Sequence, residues 1–236
     1  MILLHRLEKS LKNKLIFLLG SLMPKGSVSW LIAKELKYGG LINNVKRRKV
    51  SLLDPRTSEQ IASGGMQGGD RMLHHGYAKK YSQYLAPFLK NDHQINIVEI
   101  GILKGTGLSI WCDLFPDASV YGFDIDLSHI EDNFSYLKSI GAFSKNKPIL
   151  YEFDQFLNNK NYLKNIFGSK KINICIDDGF HSDEAVMSTL VSMEAYLADD
   201  FVYFIEDNST VHKLIYQKWS NWKIESSGLL TVISPK

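Results

Sequence analysis

Cysteine is scarce in this sequence and long apolar runs are missing, and both shortages limit what kind of protein it encodes. Only two cysteines occur in 236 residues, and neither belongs to a C-x-x-C pair or to a Cys/His spacing typical of zinc sites. Cys112 and Cys175 both lie in apolar segments, so buried free thiols in a reducing, cytoplasmic setting are expected. The nearest approach to a membrane span, residues 15–23, falls well short of the roughly 20 residues required. No transmembrane segment is therefore expected.

The charge is small in total but unevenly distributed along the chain. The net charge is +3, yet residues 1–50 hold 11 Lys and Arg against 2 acids, or +9, and the remainder carries −6. The overall charge is therefore a poor guide to partners, and no nucleic-acid partner is expected. A basic helical arm of this kind packs on its own protein, packs on a second subunit, or lies peripherally on a membrane. The first two are favoured, because most such helices are simply packed.

The distribution of turn-forming residues predicts two regions. Residues 1–50 read as two helical segments interrupted at residues 24–26 and ended by Gly39 and Gly40, and residues 51–69 are loop-like. We therefore predict a basic helical N-terminal extension over residues 1–63 and a main domain over residues 64–236. A helix is predicted at residues 73–89, and strands and helices alternate after it. Predicted strands cover 95–100, 119–125, 149–153, 172–176, 201–205, 222–225 and 229–233; predicted helices cover 107–115, 162–167, 183–197 and 211–219.

This alternation indicates the fold class. Near-continuous apolar strands separated by helices are typical of parallel sheets that are covered on both faces. The last two strands flank Ser227 and Gly228 and read as an antiparallel hairpin. We therefore predict an α/β fold with a doubly wound, mostly parallel, seven-stranded sheet.

Two of the predicted core strands end abruptly in acidic residues. Residues 173–181 read NICIDDGFH, with Asp177 and Asp178 at the strand end and His181 three positions later. Residues 201–208 read FVYFIEDN, which places Glu206 and Asp207 at the end of another strand. Charges at the exits of buried strands are costly unless they bind a cation or do chemistry.

Each of these features also has an ordinary structural explanation. Asp-Gly is common in turns, an acid after a strand often caps the next helix, and a single histidine is usually a hydrogen-bonding or surface residue. The combination favours a metal site, because several unpaired buried charges in one place would be hard to tolerate.

A glycine-rich turn follows the first predicted strand of the main domain. Residues 97–107 read IVEIGILKGTG, so the glycines have the spacing G-x-x-x-G-x-G. Glycines at this place allow close backbone approach to a ligand, and the following helix N-terminus offers free N–H groups. The spacing departs from the dinucleotide fingerprint G-x-G-x-x-G. Glu99, just before the turn, would suit a cationic or amine-bearing ligand.

Acids at the ends of the next two strands are candidates for an adenosine-type ligand. The second strand ends in YGFDID, and an acid at this point commonly holds a ribose diol. Asp124 is the first candidate and Asp126 the second, although either could instead cap a helix or lie on the surface. Asp154, after the third strand, could contact the base, and a capping role is equally compatible with its position.

Together these motifs resemble the cofactor site of class I S-adenosylmethionine-dependent methyltransferases. Asp-Asp-Gly-x-His paired with Ile-Glu-Asp resembles, more specifically, the macrocin- and mycinamicin-type sugar O-methyltransferases and the related cephalosporin-hydroxylase-like group. The resemblance covers about residues 64–210. Two departures, Phe180 between the glycine and the histidine and residues 198–200 in place of a Gly-Gly turn, concern the acceptor pocket more than the chemistry.

The resemblance implies roles for individual residues. It implies that the fourth and fifth strands are neighbours in the sheet, and it makes Asp178, Glu206 and Asp207 ligands of Mg²⁺ and His181 the general base. It gives cofactor-binding roles to Glu99, Gly101, Asp124 and Asp154, and we assign Gly105, Asp126 and Asp177 to the cofactor as well.

The expected function is therefore Mg²⁺-dependent transfer of a methyl group from S-adenosylmethionine to a hydroxyl of a sugar or glycoside, as in natural-product biosynthesis. A catechol acceptor is an alternative, because it also offers two adjacent oxygens to the ion. A nicotinamide-dependent oxidoreductase and a non-catalytic protein that binds S-adenosylmethionine are further alternatives on the same fold. A homo-oligomer is compatible with the basic arm.

Overall fold

The structure is a computed structural model that describes residues 2–41, 70–90 and 94–236. Contacts divide it into two compact units. The helical unit comprises Met1–Asp92, Leu103–Pro116 and Asp126–Lys147, and the sheet unit comprises His93–Ile102, Asp117–Ile125 and Pro148–Lys236. The predicted domain boundary at residues 63–64 and the predicted loop at residues 51–69 lie outside the described residues.

The sheet unit contains one seven-stranded sheet. Its strands are β1 (Asn96–Ile100), β2 (Ser119–Asp124), β3 (Ile149–Glu152), β4 (Ile172–Asp177), β5 (Leu197–Ile205), β6 (Trp222–Ser227) and β7 (Leu230–Pro235). The order is β3-β2-β1-β4-β5-β7-β6, with β1 to β5 parallel and β7 antiparallel to both neighbours. The predicted mostly parallel sheet with a terminal antiparallel hairpin is confirmed.

The strand order places β4 directly beside β5, as the proposed metal site requires. In this pairing Asp177 lies opposite Ile205, so the residues that follow the two strands leave the sheet at the same level. The order reverses direction between β1 and β4, and Ile100 lies opposite Asp177 across that junction. In open α/β sheets ligands bind outside the carboxyl ends of the strands at such a reversal.

The core of the sheet unit is formed by strand residues and by helices α6 (Lys160–Phe167), α7 (Asp183–Met193) and α8 (His212–Lys218). Apolar residues such as Phe167, Leu190 and Ile215 pack against the strands. Ser182 begins α7 by accepting the N–H of Ala185 at 3.1 Å, which is an ordinary N-cap. The core also contains Cys175, and both cysteines of the chain are free and buried, as predicted.

The helical unit contains α1 (Ile2–Ser21), α2 (Val28–Tyr38), α3 (Ala78–Leu85), α4 (Thr106–Leu114) and α5 (Ser128–Ser139). Ser27 caps α2 by accepting the N–H of Trp30, and Gly39 follows its last residue. The two predicted N-terminal helices are therefore present. No helix of the described part is long and apolar enough to cross a membrane.

Several predicted boundaries were wrong. The helix predicted at residues 73–89 is only α3, because the preceding backbone N–H groups bond elsewhere: that of Tyr77 reaches Arg71. Helix α5 was not predicted; its sequence is largely polar, and only one narrow side is buried. The helix predicted to end at residue 197 ends at Met193, and Leu197 already pairs with Ile172. A register shift after Ile172 lets β5 begin four residues earlier than predicted.

Glu35 is a buried acid that connects α2 to the segment before α3. Its carboxylate accepts the N–H of Met72 at 2.6 Å and the N–H of Leu73 at 2.9 Å. Burial raises the pKa of Glu35 to about 7, although these two N–H groups and Arg71 oppose the shift and Asp70 adds to it. The protonated form is therefore favoured on folding, relative to an unfolded pKa near 4.5.

This shift predicts how the free energy of unfolding depends on pH. Because the folded pKa is raised, the stabilisation is complete below pH 4.5 and is lost as the pH rises through about 7. Between pH 5 and pH 8, titration of Glu35 should lower the free energy of unfolding of the wild type by roughly 3 kcal/mol, at about 1.4 kcal/mol per pKa unit. Glu35→Gln should lack this decrease, because glutamine does not titrate. Urea unfolding at both pH values measures this. Glu131→Gln, at an exposed position on α5, is the control, and equal pH dependence in all three proteins would contradict the assignment.

Candidate functional site

Three side chains with metal-binding atoms meet where β4 and β5 end. Asp178, His181 and Asp207 each offer one ligand atom, and these atoms all lie within 4.8 Å of one another. His181 Nε2 lies 3.9 Å from Asp178 Oδ1. All three residues are half-buried, so the group is reachable from solvent. The sequence placed Asp178 and His181 after one strand and Asp207 after another, and the fold brings the three residues together.

The backbone at two of these residues has an uncommon conformation. His181 has a φ of 65° and Asp207 a φ of 53°, both in the left-handed region that non-glycine residues rarely adopt. Such conformations cost about 1–2 kcal/mol each and persist only where the surrounding structure enforces them. They cluster at functional sites in proteins, and here both occur in the same group of side chains.

Glu206 precedes Asp207 but is not part of the group of three. Its side chain is buried, with 2% exposure, and its backbone N–H donates to the carbonyl of Asp177 at 2.9 Å. This bond continues the pairing of β4 and β5 to the last residue before the site. The main chain of Glu206 is thus held at the end of β5.

Asp177 lies inside the protein rather than at the opening. Its Oδ1 accepts the amide of Gln155 at 2.9 Å, and its Oδ2 accepts the hydroxyl of Tyr203 at 3.2 Å. Burial raises the pKa of Asp177 to about 6, and the bonds from Gln155 and Tyr203 and the proximity of His181 lower it in part. Through these hydrogen bonds the buried side chain of Asp177 holds the end of β4 in place.

Gly101 makes room for the protein's own backbone. Its φ is 78°, and a Cβ at this position would lie 2.0 Å from the carbonyl oxygen of Asp178. Its N–H donates to Phe123, and the N–H of Asp178 donates to Ile100, both at 2.9 Å. The ends of β1 and β4 therefore touch at the place where Gly101 lacks a side chain. This packing is sufficient to require glycine at position 101.

This packing predicts a large loss of stability for Gly101→Ala. We expect at least about 3 kcal/mol, because the new methyl group displaces backbone atoms and the positive φ adds roughly 1–2 kcal/mol. Gly228→Ala is the control, since its φ is 64° but, apart from its two chain neighbours, no described residue has an atom within 4 Å of the place that a Cβ would occupy. Urea denaturation of both variants measures the difference. Equal losses would show that the contact with Asp178 imposes no constraint.

Glu99 and Asp124 share one face of the sheet at the carboxyl ends of β1 and β2. Glu99 lies opposite Gly122, and Asp124 follows two residues later on the same strand, so their side chains project from the same side. Glu99 is almost fully buried, and Asp124 is half-buried.

Asp154, after β3, accepts the N–H of Phe156 at 2.9 Å and so closes a tight turn. It does not cap the next helix, because Asn159 is the residue that precedes α6.

Gly105 and Asp126 belong to the helical unit, where each lies just before a helix. Gly105 has a φ of 78° immediately before α4, and a Cβ there would lie 2.7 Å from Ile130. Asp126 accepts the N–H of Ser128 at 3.0 Å at the start of α5, and its other oxygen lies 3.5 Å from His129. Both residues therefore have structural contacts in this unit.

Two residues around the site were missed by the sequence analysis. Gln155 follows Asp154 and is 7% exposed, and Asn208 follows Asp207 and is 5% exposed. Gln155 forms hydrogen bonds to Asp177 and Phe180, which flank Asp178 and His181, and Asn208 donates to the carbonyl of His181 itself. Asn208 also accepts the N–H of Val211, a spacing of three residues that is typical of a helix cap and could have been read from the sequence.

Comparison with known proteins bears on the fold. MycE methyltransferase from the mycinamycin biosynthetic pathway, in complex with Mg and SAH, matches with a TM-score of 0.54 at 17% identity, over 69% of this chain and 50% of that chain. The chain has the fold of a Rossmann-like methyltransferase. A complex of MycE with Mg, SAH and mycinamycin VI gives a TM-score of 0.53 at 18% identity, again over 69% and 50% of the two chains.

A second crystal form of MycE with Mg and SAH gives a TM-score of 0.50 at 16% identity, over 79% of this chain and 62% of that chain. The chain thus spans about half the length of the first two MycE structures that it matches. No protein-family model matches the sequence, and no curated protein matches it either.

Proposed function

We propose that this protein is a Mg²⁺-dependent O-methyltransferase that uses S-adenosylmethionine and acts on a hydroxyl of a sugar or glycoside. One observation carries the proposal: Asp178, His181 and Asp207 converge at the carboxyl ends of two adjacent strands, in a methyltransferase fold. The resemblance of the Asp-Asp-Gly-x-His and Ile-Glu-Asp motifs to sugar O-methyltransferases supports the acceptor class. That similar structures contain Mg, SAH and mycinamycin VI agrees with it.

The donor set fits a hard divalent cation. Mg²⁺ is typically bound through one or two carboxylates, with water and substrate oxygens completing six positions. Asp178 and Asp207 would supply two carboxylates, which offer oxygens within 4.8 Å of each other. The resemblance would make Glu206 a third ligand. Because Mg²⁺ prefers oxygen to imidazole, His181 remains available as a base.

The carboxyl ends of β1 and β2 fit the donor. Glu99 would take the amino group of S-adenosylmethionine, and Asp124 would take its ribose hydroxyls, because both acids project from one face of adjacent strands. Gly101 lets the ends of β1 and β4 meet at the reversal of strand order, beside which the donor would lie. Asp154, Gly105 and Asp126 stay proposed contacts on the basis of the sequence motifs.

The chemistry assigns a task to each residue. When bound, the cation would lower the pKa of an acceptor hydroxyl, and the donor would supply the methyl group. His181 Nε2, on the Asp178 side of the ring, would accept the proton that the hydroxyl loses. Asp178 and Asp207 would orient the acceptor, and orientation of two reactants contributes strongly to the rate. The buried, free cysteines agree with a cytoplasmic enzyme.

Methyl-transfer assays with the full chain test this function. Radiolabelled S-adenosylmethionine and Mg²⁺ would be incubated with glycosides, aminoglycosides, catechols and phenols, with and without excess EDTA. We expect label in a glycoside, and EDTA should abolish transfer. Transfer to catechols alone would show that the acceptor is a catechol and not a glycoside. Full activity in EDTA would exclude a role for the metal. Saturable donor binding without transfer to any acceptor would indicate a binding protein.

A further inference from the structure

The loop that carries Asp178 and His181 is held from two sides by buried amide side chains. We propose that Gln155 and Asn208, here called the amide clamp, are positioning residues that hold the Asp178 and Asp207 carboxylates in the geometry required to bind the cation and keep His181 beside them as the base. This inference rests on the proposed function, because it assigns the clamp a role at the same site. Neither residue touches the proposed reacting atoms, so both act through the loop.

Gln155 holds the first half of the loop. Its Nε2 donates to Asp177 Oδ1 at 2.9 Å and to Thr189 Oγ1 at 3.0 Å, and its Oε1 accepts the N–H of Phe180 at 2.7 Å. Gly179 packs so closely that a Cβ there would lie 2.0 Å from Gln155 Oε1. One side chain thus fixes the residues before and after Asp178 and ties them to α7.

Asn208 holds the second half of the loop. Its Nδ2 donates to the carbonyl of His181 and to Asp183 Oδ1, both at 2.8 Å. Its Oδ1 accepts the N–H groups of Thr210 and Val211, also at 2.8 Å, and so holds the turn that leads into α8. Because Asn208 follows Asp207 directly, it connects the main chain of His181 to the residue that carries the second carboxylate.

The clamp matters because the His181 ring has little else to orient it. Histidines at metal or catalytic sites are usually oriented by a hydrogen bond from the second ring nitrogen. Here Nδ1 is buried and makes no hydrogen bond to any described residue. The direction of the ring is therefore set through the main chain, whose left-handed φ at His181 is enforced by its neighbours.

Loss of the clamp should therefore affect the site more than the fold. Without the bonds from Asn208, the main chain at Asp207 is no longer tied to His181 and Asp183, so the Asp207 carboxylate and the His181 ring can both move away from Asp178. Without Gln155, the segment between Asp177 and Phe180 loses its anchor on α7. Substitutions of residues that orient ligands typically weaken metal affinity 10- to 100-fold.

Asn208→Asp tests this separately from helix capping. The aspartate keeps the oxygen that accepts from Thr210 and Val211 but loses the two donated bonds, to His181 and Asp183. The control is Asn146→Asp, which removes a side-chain donor to the carbonyl of Phe115 in the helical unit. The affinity of the metal-free full chain for Mn²⁺ would be measured by calorimetry, together with thermal unfolding.

We expect Mn²⁺ affinity to fall 10- to 100-fold in Asn208→Asp and to stay within about twofold in Asn146→Asp. Gln155→Met, which removes three hydrogen bonds at similar volume, should give the same loss. A purely structural role would instead lower the melting temperature and leave the Mn²⁺ affinity of the folded protein unchanged, and this result would overturn the clamp.

The outcomes also separate the clamp from the proposed function. Equal Mn²⁺ affinity in the wild type and both clamp variants would reject the clamp while the metal site stands. Weaker Mn²⁺ binding in both variants would support the clamp. If the wild type at the same time transfers no methyl group to any acceptor, the proposed enzyme activity is rejected. Absence of Mn²⁺ binding in the wild type would reject both.

Discussion

Asp178→Asn should lower kcat/KM for methyl transfer by about a thousandfold and leave donor binding intact. The substitution removes a negative charge from the proposed metal site but nearly preserves the shape of the side chain. A metal that stabilises developing charge contributes several kcal/mol, and a thousandfold change in rate corresponds to about 4 kcal/mol. Glu99 and Asp124 are unchanged in this variant, so the affinity for S-adenosylhomocysteine should stay within about threefold of the wild type, by calorimetry.

The matched control for this prediction is Asp199→Asn. Asp199 lies on β5 and is exposed, so the same chemical change is made on the same unit outside the group of three side chains. We expect its kcat/KM to match that of the wild type. Comparable activity in Asp178→Asn and Asp199→Asn would remove Asp178 from the metal site.

His181→Gln should lower kcat by a factor of about 10² to 10⁴, the range typical of a lost general base. Glutamine keeps polar atoms at a similar distance from the main chain but does not take up a proton near neutral pH. Mn²⁺ affinity should stay within about threefold, because the oxygen ligands Asp178 and Asp207 stay in place. The combination of slow turnover and retained metal binding is the signature of a base.

His212→Gln is the control for this variant, since His212 lies at the start of α8 and has no part in the proposed mechanism. A loss of Mn²⁺ binding in His181→Gln would show that His181 is a metal ligand. That result would favour an ion that accepts nitrogen readily, such as Mn²⁺ or Zn²⁺, over Mg²⁺.

Much of the sheet was predictable because each core strand leaves a local mark in the sequence. A run such as residues 173–177 is apolar, of strand length, and ends in acids, so its type and end can be read without tertiary information. The prediction that β4 and β5 are neighbours required the resemblance to a known fold, since no local pattern specifies strand order. The pairing of Asp177 with Ile205 confirmed it.

The errors came from places where local pattern and tertiary contacts disagree. Helix α5 is mostly polar and so lacks the broad apolar face that marks a helix in the sequence, although Asp126 accepts the N–H of its first residue, Ser128. At the other end of the core, Leu197 extends the apolar pattern of α7 but pairs with Ile172 in the sheet. Burial against a partner strand decided the structure there.

The candidate site was predictable in its residue types but not in its supports. The acids and His181 stand out because charged residues directly follow buried strands. Gln155 supports the site through contacts with Phe180 and Thr189, which are distant in the sequence. The glycine at position 101 was expected to admit a ligand, whereas the structure shows it admitting the backbone of Asp178.

The most direct test of the metal site is a crystal structure of the full chain grown with S-adenosylhomocysteine and Mn²⁺. Anomalous scattering locates the ion without assumptions about its ligands. We predict one strong anomalous peak between the carboxylates of Asp178 and Asp207, with oxygen ligands at the distances typical of a hard cation. A structure with bound S-adenosylhomocysteine and these two carboxylates turned apart, with no ion between them, would contradict the account.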